Sequence, residues 1–232
     1  MQDQVTAAFL DSKNMLYTGS IDGSINRLAP DGDELLYGPN RTARVSLIDA
    51  SNPLRIFIFY EDLQEYVILD RFLTETARYS LVEFTSYAGL CAPSQNNQVW
   101  LVDLQNFSLR KFDPTGTVNE ITIPLQQVLD PADYDITFIR EYQNLLFLAD
   151  RKRGVYIFDN LGNLLTQLGE KEIKHISFSN NQALMLKNDR TLISYDLYKG
   201  TSYSTLLDRP ADFYFENSKK YFVTGYKIFI SP

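Results

Sequence analysis

The 232-residue sequence contains very few residues of the kinds that build common catalytic and metal sites. It has one cysteine, Cys91, and one histidine, His175. A single cysteine excludes an internal disulfide and a thiolate metal cluster. A single histidine cannot supply the several imidazoles of a typical zinc site. The sequence therefore predicts no cofactor and no bound metal.

Net positive charge and long apolar runs are also lacking. The formal net charge is −7 and the isoelectric point is about 4.8, so the protein repels phosphate backbones, and nucleic acid is not an expected partner. The longest apolar segment, Leu54 to Tyr60, has the length of a strand and includes Arg55, so no transmembrane segment is expected.

The compartment is predicted only by weak features of the sequence. Met1 to Gln4 have neither the basic region nor the apolar core of a signal peptide. A composition rich in Asn, Tyr, Thr and Ser, with a first strand close to the start, favours the periplasm or cell envelope, after signal removal, over the cytoplasm. Any membrane association is expected to occur through a partner.

Apolar residues are abundant, at 44% of the chain, and they recur in strand-like runs about 40 residues apart, four of which end in Asp. The six copies are Ile25–Ala29, Tyr66–Asp70, Val99–Asp103, Val155–Asp159, Leu192–Asp196 and Tyr226–Ile230. A repeat of roughly this length is typical of four-stranded propeller blades arranged around an axis.

Each repeat unit is expected to contain four short strands joined by tight turns. In the first unit these are Thr6–Leu10, Met15–Ser20, Ser24–Ala29 and Glu34–Tyr37. The other units are predicted at residues 44–76, 80–112, from 135, from 173, and 211–232. The sixth unit supplies only three strands. We expect Gln2 to Val5 to act as its fourth strand and so to cover the open edge.

The whole pattern resembles the six-bladed β-propellers of the loose group that includes NHL-type and TolB-like repeats. The strand copies carry this resemblance, together with the strand, turn and strand of Tyr156 to Leu165. The Trp-Asp and Gly-His signatures of WD40 repeats are absent. The resemblance implies an all-β chain, with residues 1–232 forming a single closed β-propeller of about six four-stranded blades. A pair of β-sandwiches is the alternative fold.

The two residues best suited to nucleophilic catalysis are interpreted as structural. His175 alternates with apolar residues on a predicted inner strand, and no Gly-x-Ser-x-Gly turn marks a nucleophile for it to activate. Cys91 lies in an apolar strand, where a free cysteine normally packs as a small hydrophobic residue. The sequence therefore predicts no hydrolytic activity that depends on either residue.

Acidic turns offer a further possibility, a calcium site, which the sequence does not favour. Propellers of similar form include calcium-dependent lactonases, whose ligands are carboxylates and Asn on the inner strands. The corresponding positions here carry both signs of charge. They are Arg44, Asp135, Lys174 and Asp212. Other acidic turns, such as Asp31–Glu34 and Asp130–Asp133, lack the spaced ligands and Gly of a calcium loop.

One surface stands out as a candidate docking site. Residues 113–134 form a long insertion that includes the apolar Leu125 and Val128, and Tyr134 follows as a candidate aromatic anchor. The basic turn Arg151, Lys152 and Arg153 should lie on the same face and would suit an acidic partner. The sequence thus favours a non-catalytic protein-interaction module, a subunit or accessory factor of a larger assembly. The alternative is a lactonase-like hydrolase or a glycan binder that uses the central channel.

Overall fold

The computed structural model describes residues 4–116 and 121–232, which form mostly strands because Val, Ile, Tyr and Phe dominate the runs between turns. The strands in these residues are β1 (Val5–Leu10), β2 (Leu16–Ser20), β3 (Ile25–Leu28), β4 (Glu34–Tyr37), β5 (Leu47–Asp49), β6 (Ile56–Tyr60), β7 (Glu65–Leu69), β8 (Glu75–Ser80), β9 (Ala88–Pro93), β10 (Val99–Asp103), β11 (Ser108–Phe112), β12 (Ile121–Pro124), β13 (Ile136–Tyr142), β14 (Leu145–Asp150), β15 (Gly154–Asp159), β16 (Leu164–Leu168), β17 (Ile173–Ser179), β18 (Gln182–Lys187), β19 (Thr191–Asp196), β20 (Ser202–Leu206), β21 (Phe213–Glu216), β22 (Lys220–Val223) and β23 (Ile228–Ser231). Short 3-10 helices occupy Glu61–Leu63, Gln95–Asn97 and Leu125–Gln127.

Consecutive strands pair antiparallel in six sheets, which are β1–β4, β5–β8, β9–β12, β13–β16, β17–β20 and β21–β23. The first strand of each sheet lines one central cavity, to which all six sheets contribute a residue: Ala7, Ile48, Leu90, Ile139, His175 and Phe213. Six sheets around one axis make the protein a six-bladed β-propeller. The fold predicted from the repeats is confirmed.

The apolar core lies between neighbouring blades, and this explains why the repeated runs are apolar without interruption. Successive side chains of a strand point to opposite faces of its sheet. In β15, Val155 and Ile157 pack with Ile173 of the fifth blade, whereas Tyr156 and Phe158 pack in the cluster shared with the third blade. Both faces of the strand are therefore buried, at about 1.5–3 kcal/mol for each large side chain.

The Asp residues that end four of the repeated runs fix the turn that follows each run. Asp70 Oδ1 accepts hydrogen bonds from the backbone N–H of Phe72 and of Thr74. Asp159 accepts in the same way from Leu161 and Asn163. A short carboxylate that bonds the backbone two to four residues ahead stabilises a tight turn. The recurring Asp is therefore a feature of blade geometry.

The boundary between the second and third blades differs from the predicted one. The sequence places Ser80 at the start of the third unit, but Ser80 ends β8, the outer strand of the second blade. The third blade begins with β9. The difference arises because all six residues of β8 are exposed or half-buried, so this outer strand lacks the apolar run that marks the inner and middle strands.

The sixth blade has three strands in the described part of the chain, as the sequence predicts. Val5, however, is the first residue of the inner strand β1, and its N–H donates a 2.8 Å hydrogen bond to the carbonyl of Gly225. Gln2 and Asp3, which belong to the predicted closing strand, lie outside the described residues. Among the described residues, nothing pairs with the outer edge of β23.

Candidate functional site

The predicted insertion at residues 113–134 is not one continuous insertion, so this prediction is wrong. Its middle part is β12, the outer strand of the third blade, which pairs with β11 from Lys111↔Ile121 to Ser108↔Pro124. Only residues 125–135 connect the third blade to the fourth. Of the residues before β12, the structure describes 113–116, where the N–H of Gly116 donates a 2.9 Å hydrogen bond to the carbonyl of Asp113; residues 117–120 of the predicted insertion lie outside the described residues.

Two apolar residues of this connection pack inward. Leu125 is fully buried in the cluster that includes Trp100 and Leu129, and it is therefore a core residue and not a partner contact. Val128 is half-buried beside the same cluster, and its carbonyl accepts a 3.1 Å hydrogen bond from the hydroxyl of Tyr156. Tyr134 is half-buried with its ring 4.9 Å from that of Phe107.

We expect Leu125→Ala to lower the free energy of unfolding by about 2–5 kcal/mol, because a buried Leu leaves a cavity when it is truncated. Urea unfolding monitored by tryptophan fluorescence measures this change. Val128→Ala is the matched control and should cost less, because Val128 is only half-buried. A loss below about 0.5 kcal/mol for Leu125→Ala would show that the side chain is not part of the core.

The basic turn between β14 and β15 lies against the connection that precedes β13. Arg151 Nη1 is 3.0 Å from Asp135 Oδ2. Lys152 Nζ and Arg153 Nη2 lie 2.5 Å and 3.0 Å from the two oxygens of Asp133. The hydrogen bond from Lys152 lowers the pKa of Asp133, and the same bond raises the pKa of Lys152. The basic charges are therefore largely balanced within the chain.

The end of this turn is fixed by a glycine. Gly154 has a φ of +114°, and a Cβ atom at this position would lie 2.1 Å from the carbonyl oxygen of Leu168. Only glycine fits this conformation and this close approach without strain. The turn is thus held in place by both its ion pairs and the packing of its last residue.

The central channel contains a cavity of about 440 Å³ whose mouth carries charges of both signs. Lys174 Nζ lies 3.5 Å from Asp212 Oδ1, and Arg151 pairs with Asp135 as described above. Arg44 lines the same cavity and forms no ion pair in the part of the chain that the structure describes. This mixed-sign mouth agrees with the arrangement predicted from the inner strands.

His175 lines the channel but lies in an apolar setting. Its ring makes edge contacts with Phe138, Phe213 and Phe215, at centroid distances of 6.2, 5.1 and 5.1 Å. Its Nδ1 has no hydrogen-bond partner among the described residues. Burial, together with the smaller effects of the nearby positive charges of Arg140 and Lys174, lowers the pKa of His175 to about 3. The imidazole is therefore neutral at physiological pH.

Cys91 is completely buried in β9, in the cluster between the second and third blades. Burial raises the pKa of its thiol well above the ordinary value. The reactive form of cysteine is the thiolate, so an inaccessible thiol with a raised pKa is inert. Among the described residues, no group of three or more His, Cys, Asp or Glu is placed to hold a metal ion.

A buried ion pair that the sequence did not reveal lies between the central cavity and a second one. Arg140 Nε lies 3.1 Å from Asp49 Oδ2, at ion-pair distance but without the alignment of a hydrogen bond. The guanidinium also lies over the rings of Phe9 and Phe178, at 4.2 and 5.1 Å. Both charged residues line the 440 Å³ cavity and a second cavity of about 390 Å³ on the opposite side. The pair is thus a common wall of the two cavities.

Exposed apolar side chains lie near the outer edge of the sixth blade, and the sequence alone did not predict them. Four large apolar side chains near this edge are exposed, where the other blades have a fourth strand. They are Leu36 (72% exposed), Tyr203 (57%), Ile230 (47%) and Phe229 (39%). The sequence predicts that the sixth blade lacks a fourth strand. It does not predict which neighbouring side chains are exposed as a result, because that depends on strand register. We call these four residues the rim patch.

No helix in residues 4–116 and 121–232 has the length and apolar character needed to cross a membrane.

Comparison with known proteins identifies the fold alone. No protein-family model and no curated protein matches the chain. Virginiamycin B lyase from Staphylococcus aureus matches with a TM-score of 0.66 and 12% identity, over 100% of this chain and 85% of the lyase chain. The Swd1 β-propeller domain of Myceliophteria thermophila matches with a TM-score of 0.60 and 12% identity, over 84% of this chain and 66% of that one. A computationally designed protein matches with a TM-score of 0.55 and 11% identity, over 100% of this chain and 96% of that one.

Proposed function

We propose that this protein is a non-catalytic protein-interaction module that binds its partner at the rim of the ring, beside the sixth blade. The observation that carries the proposal is the rim patch, in which four large apolar side chains surround an unpaired strand edge. Exposed strand edges are ready-made templates for pairing with another chain. Exposed large apolar side chains beside such an edge favour an interaction site.

The basic turn is a weaker candidate for the contact surface. An acidic partner at Arg151, Lys152 and Arg153 would have to compete with Asp133 and Asp135, which already lie 2.5–3.0 Å from the three cations. Exposed ion pairs of this kind contribute little net free energy, and exchanging one carboxylate for another gains little more. Tyr134 and the half-buried Val128 would provide the apolar part of that surface. We retain it as the second candidate.

The alternative function, an enzyme or a small-molecule or glycan binder in the channel, has less support. A general base must be oriented by a third group and must bind a proton near neutral pH. His175 lies among three phenylalanine rings, with its Nδ1 unpartnered and its pKa lowered to about 3. An arrangement of this kind favours a packing role over proton transfer. The fold likeness to a lyase, at 12% identity, does not carry an activity to this chain.

We expect the Leu36→Glu/Ile230→Glu variant to bind its partner at least tenfold more weakly, a loss of about 1.4 kcal/mol, and so to recover much less of it. The measurement is quantitative mass spectrometry of proteins retained by the tagged propeller from an extract of the source cells. Both positions are exposed, so the variant should fold normally.

Two further variants serve as controls for this experiment. Leu54→Glu/Leu161→Glu changes two equally exposed apolar residues elsewhere on the ring and should leave recovery unchanged. Arg151→Glu/Arg153→Glu tests the second candidate surface and should have the smaller effect. Equal recovery by the rim variant and the unmodified protein, with loss only in the Arg151→Glu/Arg153→Glu variant, would place the partner on the basic turn.

A further inference from the structure

We infer that the partner supplies an extended segment which adds to β23 as an antiparallel fourth strand, and that this segment carries acidic residues at both ends. The inference rests on the proposed function and specifies the kind of partner that it requires. In the described part of the chain, five blades have four strands and the sixth has three. The vacant position therefore has the dimensions of one short strand.

The backbone of β23 offers free hydrogen-bonding groups to such a strand. The N–H of Thr224 donates to the carbonyl of Lys227 at 2.8 Å, so these two residues form a hydrogen-bonded pair at the end of the hairpin. Hydrogen-bonded and non-hydrogen-bonded pairs alternate along an antiparallel ladder. Phe229 is thus bonded to Phe222, whereas the N–H and C=O groups of Ile228 and Ile230 point away from β22. These groups face the open edge.

The side chains of the rim patch form two walls beside this edge. Tyr203 pairs with Ser194 and so shares the face of Leu192, which packs in the cluster between the fifth and sixth blades. On the other side, Leu36 pairs with Asn26 and shares the face of Leu28, which packs in the cluster between the sixth and first blades. An added strand would thus lie between Tyr203 and Leu36.

Phe229 and Ile230, on β23 itself, face the same two sides of the vacancy as Tyr203 and Leu36. Phe229 lies opposite Phe222, toward the fifth blade, and Ile230 lies opposite Tyr221, toward the first blade. A strand that fills the vacancy would alternate its side chains between these two faces. Both faces carry apolar side chains, and on the face toward the fifth blade the guanidinium of Arg209 also lies 5.4 Å from the Phe229 ring, so the central residues of the strand should be apolar or β-branched.

Lysines at both ends of the vacancy determine the charge of the segment. Lys227 precedes β23, and Lys220 pairs with Ser231 at the other end, next to Lys219. None of these three lysines forms an ion pair among the described residues. The protein has a net charge of −7, so lysines without acidic partners at both ends of one strand position are unusual for its surface. Acidic residues at both ends of the added strand would pair with these lysines.

A second copy of this chain fits the edge less well. A second copy that paired β23 with β23 in antiparallel fashion would place Lys227 of one copy opposite Ser231 of the other, one strand away from Lys220, so the basic ends of the two copies would meet and repel each other.

A synthetic peptide tests the inference directly. The probe has the sequence Asp-Glu-Val-Thr-Val-Thr-Val-Glu-Asp, and its control has lysine at all four acidic positions. We expect the acidic peptide to bind at least tenfold more tightly than the control in isothermal titration. Addition of the acidic peptide should also slow amide hydrogen exchange at Ile228 and Ile230. Equal affinity of the two peptides, or no binding at about 1 mM, would overturn the inference.

A proline substitution separates strand addition from side-chain packing. Ile230→Pro removes an N–H that faces the open edge and leaves the ladder to β22 intact, a place where proline is tolerated. We expect Ile230→Pro to bind the acidic peptide at least tenfold more weakly than Ile230→Ala. Equal affinities would overturn strand addition. If Ile230→Pro unfolds, the exchange rates of Ile228 and Ile230 in the unmodified protein decide the question.

The outcome also distinguishes this inference from the proposed function. If Leu36→Glu/Ile230→Glu abolishes partner recovery while the peptide results fail, the rim binds a partner by another mode and only the strand-addition inference is wrong. If recovery is unaffected by the rim variant, the proposed surface is wrong whether or not the peptide binds.

Discussion

His175→Phe should abolish most of the loss of stability that the protein shows as the pH falls from about 6.5 to about 4.5. The pKa of His175 is about 3 in the folded protein and 6.5 in its ordinary state, so within this window the unfolded chain binds a proton that the folded protein does not. Stability therefore falls as pH decreases, by about 1.4 kcal/mol for each pH unit. The expected loss over the window is about 2–3 kcal/mol.

His175 is the only histidine in the chain, so no other imidazole contributes to the pH dependence of stability. Histidine is the only side chain whose ordinary pKa lies near this window, and carboxylates ordinarily titrate below it. Urea unfolding at intervals from pH 7 to pH 4.5 gives the slope for the unmodified protein and for His175→Phe. His175→Leu is a second variant in case the larger ring disturbs packing. An unchanged slope in both variants would show that His175 is protonated in the folded state.

Asp49→Ala should destabilise the protein by about 3–5 kcal/mol, because it leaves the guanidinium of Arg140 buried without its partner. Burial already lowers the pKa of Arg140, and the charge of Asp49 opposes that effect. The phenylalanine rings on either side cannot replace the carboxylate. The free energy of unfolding in urea at pH 7 measures the loss.

The double variant Asp49→Leu/Arg140→Met should recover most of this stability, since apolar residues of similar size avoid the desolvation of both charges. Glu170→Ala serves as the control, because it removes the partner of Lys187 in a partly exposed pair and should cost less than about 1 kcal/mol. If Asp49→Ala costs as little stability as the control Glu170→Ala, Arg140 reaches solvent through one of the two cavities.

The ring of six blades could be predicted from the sequence because its inner and middle strands are buried on both faces. Such strands are continuous apolar runs, as in Val155 to Phe158, and they recur at a nearly constant spacing. Outer strands lack this signal. β8 and β12 were therefore assigned to the wrong unit or to an insertion, although both are ordinary fourth strands.

The charged and apolar surfaces were less predictable because they depend on contacts between distant residues. The sequence shows that Arg151, Lys152 and Arg153 are basic and lie near residues 125–135, but not that Asp133 is placed to neutralise two of them. Similarly, Asp49 and Arg140 are far apart in sequence and only the closed ring brings them together. The rim patch depends on which face of the outer strands is left without a neighbour.

The decisive measurement is a structure of the protein bound to the partner recovered from the source cells. We expect a segment of the partner to pair antiparallel with β23, to accept and donate hydrogen bonds at Ile228 and Ile230, and to lie between Leu36 and Tyr203. We expect acidic residues of that segment near Lys227 and Lys220. A complex in which the edge of β23 stays unpaired and the partner contacts Arg151 to Arg153 or the channel would show that the rim is not the docking site.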